Sequence, residues 1–178
     1  MNYIKTDIEG PMIIEPKVFG DERGFFFESF RSDEFRREVA DVEFVQENES
    51  WSARRGVLRG LHFQKGASAQ AKLVWVVKGR VQDVAVDIRE GSPTFGKYVS
   101  VELSGDNHRM IYIPRGFAHG CAVLEDDTIF QSKCDNYYNP ASEGSIRWND
   151  PVIGVKWMLD ETEVILSAKD RVAPFLNS

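Results

Sequence analysis

The chain has 178 residues, enough for one compact domain with its own core, and we predict a single domain over residues 1–178. Hydrophobic residues make up 42% and charged residues 28% of the chain, as in soluble globular proteins, which excludes a disordered or fibrous chain. The net charge of −6 and the pI near 5.2 argue against a nucleic-acid partner.

Strand signals dominate the chain from its N-terminal end. Short runs of β-branched and aromatic residues are separated by turn residues, a pattern typical of antiparallel sandwiches and barrels. Two short helices are predicted, one over residues 33–39 with Ser32 as its N-cap, and one after Ser167. The clearest predicted strands are residues 12–16, 25–30, 72–77, 81–88 and 109–113. We therefore predict an all-β fold with a few short peripheral helices.

The predicted strand over residues 81–88 carries two aspartates on the same side. Alternation places Asp83, Ala85 and Asp87 on one side of the strand and aliphatic residues on the other. The polar side could be an ordinary solvent face, or it could line a barrel interior that holds a polar ligand. The strand alone favours neither interpretation.

No apolar stretch approaches membrane-spanning length, and the segment after Met1 lacks the apolar core of an export signal. We therefore expect no membrane partner and a cytoplasmic location. In that reducing compartment Cys121 and Cys134 are expected to be free thiols rather than a disulfide.

Three histidines occur in the sequence, and two of them interrupt predicted apolar strands. Taken alone, His62 and His119 are more typical of hydrogen-bonded core histidines than of catalytic ones. His108 lies in a polar turn and is expected to be exposed.

A metal site is the first functional alternative for histidines in a barrel. Barrels that bind a metal usually present two histidines at i and i+2, but the sequence contains no His-x-His pair. The two cysteines are also far from a Cys-x-x-Cys spacing. We predict that the protein holds no metal and no other cofactor.

Seven segments together resemble one family of sugar-nucleotide enzymes. In sequence letters they are RGFFFE at 23–28, FVQEN at 44–48, GVLRGLHFQ at 56–64, QAKLV at 70–74, DVAVDIREGSPTFG at 83–96, IPRGFAHG at 113–120 and LSAKD at 166–170. In order and over nearly the whole chain, they resemble the dTDP-4-dehydrorhamnose 3,5-epimerases. The resemblance implies a cupin-type double-stranded β-helix, that is, a jelly-roll barrel. It also implies a homodimer without metal that acts on a dTDP-linked 4-keto-6-deoxy sugar in dTDP-rhamnose biosynthesis.

The resemblance implies roles for individual residues as well. His62 is the expected catalytic base, Asp170 its orienting partner, and Lys72 the cation that stabilises charge on the ketone oxygen. The expected substrate-binding residues are Arg23, Phe26, Glu28, Gln46, Asn48, Arg59, His119 and Tyr138, with the two arginines on the diphosphate and the tyrosine ring on the thymine. The expected supporting residues are Asp83, which pairs with His119, and Ser132 and Lys169.

These residue types suit the implied reaction. In a 4-keto sugar the hydrogens on C3 and C5 both flank the carbonyl, so their removal gives an enolate. A neutral histidine titrates close to neutral pH and can accept such a proton. An aspartate on the other ring nitrogen fixes the tautomer, and a nearby ammonium stabilises the oxyanion.

One local conflict concerns Arg59 and His62. Strict alternation turns them to opposite faces of one strand, whereas the implied site needs both. A bulge at Gly60 would bring them to the same side.

The chain departs from the family's pattern at two positions. The family usually carries, eight residues before Pro140, a tyrosine that acts as the acid on the sugar face opposite the histidine, but this chain has Ser132 there. Cys121 stands where the family prefers phenylalanine. A serine hydroxyl is shorter and far less acidic than a phenol, so it is no direct replacement.

Ser132 therefore leaves several functions open. The first is full 3,5-epimerisation, and the second is epimerisation of a single carbon, C3 or C5, of a related nucleotide keto sugar. A 3,4-ketoisomerase has less motif support. The last is a non-catalytic barrel that binds nucleotide sugars.

Overall fold

The computed structural model of the protein describes residues 1–176, which form thirteen strands and two α-helices. In chain order the strands are β1 Asn2–Lys5, β2 Met12–Glu15, β3 Phe19–Asp21, β4 Gly24–Phe26, β5 Gln46–Ser52, β6 Leu58–Gln64, β7 Lys72–Lys78, β8 Arg80–Asp87, β9 Tyr98–Ser104, β10 Met110–Ile113, β11 Phe117–Val123, β12 Thr128–Cys134 and β13 Glu143–Ser145. The helices are α1 Ser32–Glu38 and α2 Ala168–Arg171, and 3₁₀ turns lie at Gly66–Ser68, Pro140–Ser142 and Glu161–Glu163. The predicted domain runs to residue 178, so its last two positions lie outside the described residues.

Two antiparallel sheets face each other. The first has the strand order β1-β2-β10-β7-β12-β5, and the second has the order β13-β6-β11-β8-β9. Between them lies a core to which both sheets contribute, including Val74 and Ile111 from the first and Ala85 and Phe117 from the second. Burial of these aliphatic and aromatic side chains is the main force that holds the sheets together. The predicted all-β jelly-roll barrel of the cupin type is confirmed.

The structure shows which way the two aspartates of β8 face. Asp83, Ala85 and Asp87 are all fully buried, so the side that carries them faces the interior. The opposite side, with Val84 and Val86, packs under the C-terminal segment in a second apolar cluster. Because β8 is buried on both faces, the alternation of its side chains could not show whether the aspartates face solvent or the interior.

The segment around α1 differs in two details from the sequence prediction. The predicted strand over residues 25–30 is wrong beyond β4, because Phe27 and Phe30 turn away from strand pairing and pack around α1. The N-cap position belongs to Arg31, and Ser32 is already helical and makes no capping hydrogen bond. The predicted second helix is confirmed, with Ser167 as the N-cap of α2.

Three further features complete the fold. Within residues 1–176 no helix is long and apolar enough to cross a membrane. Cys121 and Cys134 are both buried free thiols, as predicted. His108 is only partly exposed, contrary to the prediction, because its ring packs against the rings of Phe25 and Phe27 at centroid distances of 4.6 and 4.7 Å.

Candidate active site

A cavity of about 170 Å³ lies between the two facing sheets and is lined from both. A second cavity, of about 320 Å³, shares His62, Lys72, Asn48 and Ser132 with the first, and we call the two together the site cavity. The second sheet lines the first cavity with Arg59, His62, His119, Gly120 and Cys121, and the first sheet lines it with Asn48, Glu49, Ser50, Lys72, Phe130 and Ser132. The first cavity thus has one wall from each sheet.

His62 and Asp170 form a tight pair in the wall of the second sheet. His62 Nε2 lies 2.5 Å from Asp170 Oδ1, and the side chains are 27% and 4% exposed. The first turn of α2 holds the carboxylate, since Ser167 Oγ donates to Asp170 Oδ2 at 2.9 Å and accepts from the Asp170 amide. With Nε2 engaged by the carboxylate, Nδ1 is the nitrogen left for a substrate. The hydrogen bond between Ser167 and Asp170 was not predicted from the sequence, although a serine three residues before an aspartate is a recognisable helix-cap pattern.

The ionisation of His62 depends on two opposing effects. Burial lowers the pKa of His62, and this effect outweighs the nearby Asp170 carboxylate, which acts in the opposite direction. The imidazole is therefore neutral at neutral pH and can accept a proton.

Arg59 and His62 line the same wall because the pairing of β6 with β11 is irregular. His62 stands opposite His119, but Arg59 stands opposite Cys121, so the register shifts between them. Gly60 lies in this shift with a φ of +132°, and a Cβ there would come within 2.6 Å of the Cα of Gly120. The predicted bulge at Gly60 is confirmed, and only glycine allows the two backbones to approach so closely.

A second histidine–aspartate pair lies in the same wall. His119 Nε2 is 2.8 Å from Asp83 Oδ2, and the aspartate is fully buried. The His119 ring stacks on Phe130 across the cavity, with a centroid distance of 6.1 Å. The other oxygen of this carboxylate, Asp83 Oδ1, has no hydrogen-bond partner among the described residues.

Lys72 projects into the site cavity from β7, in the wall that faces His62. Among residues 1–176 its amine has no hydrogen-bond partner, and no carboxylate lies within ion-pair distance. Burial lowers the pKa of Lys72, because a charged ammonium loses its hydration in this position. An unpaired, desolvated ammonium interacts strongly with any negative charge that develops in the cavity.

Ser132 lies in the same wall as Lys72, on β12. Ser132 is opposite Val74 of β7 and Asn48 of β5, and thus occupies the centre of the wall that faces His62. Across the cavity lies Cys121, whose pKa burial raises to about 12, so it is a neutral thiol. Two small side chains therefore lie where the family pattern has two aromatic ones.

Polar residues at the wider end of the site cavity form a connected rim. Gln46 donates through Nε2 to Asn48 Oδ1 at 2.9 Å and accepts from the Tyr138 amide at 2.9 Å. Glu143 accepts from the Tyr138 hydroxyl at 3.4 Å and forms a short ion pair with Lys169. This ion pair keeps the pKa of Glu143 below its usual range. Glu143 was missed in the sequence, where no pattern marks it.

The remaining predicted substrate-binding residues lie outside the site cavity. Arg23 and Phe26 belong to the β3–β4 hairpin, and Glu28 follows it on an exposed stretch. The hairpin is exposed, with Phe26 73% accessible, and Arg23 pairs with Asp21 within the hairpin itself. Among the described residues that line the site cavity, none comes from this hairpin.

The described part of the chain contains no group of three or more His, Cys, Asp or Glu side chains placed to hold a metal ion. The two histidines of the wall are each bound to an aspartate through Nε2. The arrangement offers a neutral base, an opposing ammonium and hydrogen-bonding groups at the rim, which suits proton transfer at a carbon next to a carbonyl.

Comparisons with known proteins place this chain in one family. The profile of the dTDP-4-dehydrorhamnose 3,5-epimerases matches residues 5–178. The dTDP-4-dehydrorhamnose 3,5-epimerase of Salmonella typhimurium is 54% identical over 178 residues, covering 99% of this chain and 96% of the relative. A second relative is the dTDP-6-deoxy-D-glucose-3,5-epimerase of Legionella pneumophila Philadelphia 1, whose crystal structure was solved in complex with dTDP-4-keto-L-rhamnose. Its sequence is 52% identical to this chain. It superposes with a TM-score of 0.95 and covers 99% of this chain and 93% of that chain.

A more distant solved relative is ChmJ, a 3'-monoepimerase from Streptomyces bikiniensis. It is 35% identical with a TM-score of 0.91, and covers 98% of this chain and 87% of that chain. The structure is of a double variant in complex with dTDP, with a histidine replaced by asparagine and a tyrosine seventy residues later replaced by phenylalanine. His62 and Ser132 have the same separation here. The extent and identity of these matches establish that the chain belongs to the dTDP-4-dehydrorhamnose 3,5-epimerase family.

Proposed function

We propose that the protein converts dTDP-4-dehydro-6-deoxyglucose to dTDP-4-dehydrorhamnose by inverting C3 and C5, in the supply of dTDP-rhamnose for cell-surface polysaccharides. The observation that carries the proposal is the His62–Asp170 pair facing the unpaired Lys72 across one cavity. The curated relatives at about half identity carry the same activity in their names. The Legionella pneumophila relative holds a dTDP-linked keto sugar of this class.

In this proposal His62 removes the α-proton through Nδ1, the ring nitrogen that Asp170 does not engage. Asp170 keeps the proton on Nε2 and stabilises the imidazolium that forms. The electron pair of the broken C–H bond moves to the ketone oxygen, where the charge of Lys72 stabilises the enolate. No step requires a metal or a redox cofactor.

The nucleotide is held by the rim and by arginines. Gln46, Asn48 and Tyr138 face the base and sugar of the nucleotide, and Arg59 binds the diphosphate. His119 with Asp83 lines the pocket beside the sugar, and Lys169 with Glu143 closes the far side of the rim.

Solvent exchange tests this function directly. The purified protein, incubated with dTDP-4-dehydro-6-deoxyglucose in deuterated buffer, is expected to place deuterium on both C3 and C5, because both carbons flank the ketone. NMR at each carbon separately reports exchange, and the stereochemistry of the product reports inversion. Binding of the nucleotide sugar without deuterium at either carbon would contradict an epimerase and indicate a binding protein.

A second candidate is epimerisation of one carbon alone. It is favoured by Ser132, which lacks the acidity of a phenol, and by the likeness to a 3'-monoepimerase. The same experiment separates the two functions, since a single-carbon enzyme inverts either C3 or C5.

We also propose that the enzyme is a homodimer in which each hairpin reaches the site cavity of the other protomer. The support lies in the β3–β4 hairpin, which exposes Phe19, Phe25 and Phe26 at 56%, 62% and 73%. Arg23 lies in this exposed hairpin, outside the site cavity of its own chain, so in this proposal it meets the diphosphate at the other protomer's cavity. Aromatic residues at such exposure are typical of protein interfaces. The free thiols Cys121 and Cys134 fit a cytoplasmic enzyme.

Mixing two inactive variants tests this arrangement. Arg23→Ala removes the diphosphate contact supplied by the hairpin, and His62→Asn removes the base. A mixed dimer has one site with both defects and one with neither, so random exchange of subunits should restore about a quarter of the wild-type activity. Mixtures of His62→Asn with Asp170→Asn serve as the control and should gain no activity above the mean of the two separate variants, because both residues belong to the same protomer's cavity. Failure of the first mixture to recover activity after subunit exchange contradicts a hairpin that acts across the dimer.

A further inference from the structure

Inversion of a carbon next to a ketone needs groups on both faces of the sugar. One group removes the proton from the first face, and another delivers a proton to the second face of the planar enolate. His62 lies in the wall of the second sheet, so the delivering group belongs to the opposite wall. Ser132 occupies the centre of that wall, and its hydroxyl is too weak an acid for the task at neutral pH.

The wall that faces His62 contains few titratable groups. Glu49 is exposed and its carboxylate accepts a hydrogen bond from Gln131 at 2.6 Å. Cys134 is 2% exposed and lines only the second of the two cavities. Lys72 alone among the described titratable residues of this wall lines both cavities, as His62 does from the other side.

The surroundings of Lys72 leave its proton available. The amine is desolvated, it makes no hydrogen bond within the described chain, and no carboxylate holds it in an ion pair. Such a group loses a proton far more readily than a lysine in water, as in lysines that serve as acids or bases in other enzymes. The titratable groups that act on Lys72 from the neighbouring elements are Cys134 on β12, Asp83 on β8, Cys121 on β11, Glu143 on β13 and His62 on β6.

We propose that Lys72 is the acid that delivers the second proton, on the sugar face opposite His62, in the site where Ser132 stands. This inference rests on the proposed epimerase function and adds a step to it. The N–H bond of the Lys72 ammonium breaks as the new C–H bond forms, and the enolate electrons return from oxygen to carbon. The ammonium becomes a neutral amine as the enolate charge disappears. His62 is left as imidazolium, and exchange with solvent protons restores both groups.

A lysine-to-arginine variant separates proton delivery from charge stabilisation. Lys72→Arg keeps a positive charge beside the ketone oxygen, but a guanidinium does not give up a proton in this pH range. We expect the ratio of inversion to deuterium exchange to fall by about 10²-fold or more, because a positioned acid contributes about 10²–10⁴-fold. If Lys72 only stabilises the oxyanion, exchange and inversion fall together and the ratio is unchanged, which overturns the proposal. Lys78→Arg, at the exposed end of the same strand, is the matched control and should keep the wild-type ratio.

The pH dependence of the unmodified enzyme gives an independent readout. Burial lowers the pKa values of both His62 and Lys72. Exchange requires neutral His62 and should be lost as the pH falls through its pKa, whereas delivery requires the Lys72 ammonium and should be lost as the pH rises through its own. The ratio of inversion to exchange should therefore decline on the alkaline side, below the ordinary lysine pKa of about 10.4. A ratio that stays constant from about pH 6 to about pH 10 overturns the assignment of Lys72, while absence of any exchange contradicts the epimerase function itself.

Discussion

Replacing His62 by asparagine is expected to abolish deuterium exchange at both α-carbons of the keto sugar, with nucleotide-sugar binding nearly unchanged. Asparagine has no group that accepts a proton at neutral pH, and a positioned base contributes about 10²–10⁴-fold. Binding persists because the groups proposed to hold the nucleotide are the rim residues and the arginines, and none of them is changed in this variant. Exchange is measured by NMR and binding by calorimetry with the same substrate.

Asp170→Asn provides a graded comparison for this result. The amide keeps the shape of the side chain but has no negative charge to hold the Nε2 proton of His62 or to stabilise the imidazolium. Its exchange rate should lie between those of the wild type and His62→Asn. Near wild-type exchange in His62→Asn would assign the base to another residue, of which His119 is the first candidate, since it lines the same wall.

Introducing a tyrosine at position 132 is expected to restore inversion to an enzyme that lacks the lysine acid. In the Lys72→Arg background, Ser132→Tyr places a phenol in the wall opposite His62, and the small side chain of Cys121 across the cavity leaves room for the ring. We expect the ratio of inversion to exchange to rise by about 10²–10⁴-fold, the usual contribution of a positioned acid. The measurement is again the separate NMR analysis of exchange and inversion at C3 and C5.

The control for this gain is Ser132→Phe in the same background. Phenylalanine fills the same space but has no hydroxyl, so it should leave the ratio at the low level of Lys72→Arg alone. A rise with phenylalanine as large as with tyrosine would attribute the effect to packing rather than to proton delivery. Thermal unfolding of both double variants shows whether the added ring is accommodated beside Phe130.

Much of the barrel could be predicted from local sequence patterns. Short runs of β-branched and aromatic residues that end at a glycine or proline mark strands such as β7 and β10 within one residue of their ends. Long-range effects account for the errors. Phe27 and Phe30 look like strand residues, but they pack in a cluster that joins α1 to residues of the distant strands β2, β7 and β10. The interior position of Asp83 depends on the first sheet, which covers one side of β8, and on the C-terminal segment, which covers the other, and no local pattern encodes that.

The candidate site was predictable only in part, for the same reason. The spacing of 108 residues between His62 and Asp170 carries no signal by itself, and the resemblance to a family supplied the pairing that the structure then displays. The bulge at Gly60 could be inferred because Arg59 and His62 otherwise face opposite sides of β6. The role of Glu143 could not be predicted from the sequence, because its ion pair with Lys169 forms only when β13 and α2 both pack against β6.

The close approach of the backbones at Gly60 and Gly120 also determines which part of the enzyme can change in evolution. A Cβ at Gly60 would meet the backbone of Gly120 at 2.6 Å, and one at Gly120 would meet the Arg59 carbonyl oxygen at 2.8 Å. The spacing between Arg59 and His62 is therefore fixed by the main chain, and single substitutions there cannot adjust it gradually. The opposite wall includes side chains on β12, such as Ser132, that take no part in this backbone contact. New sugar specificities can thus arise by remodelling one wall, while the base and the diphosphate contact keep their relative positions.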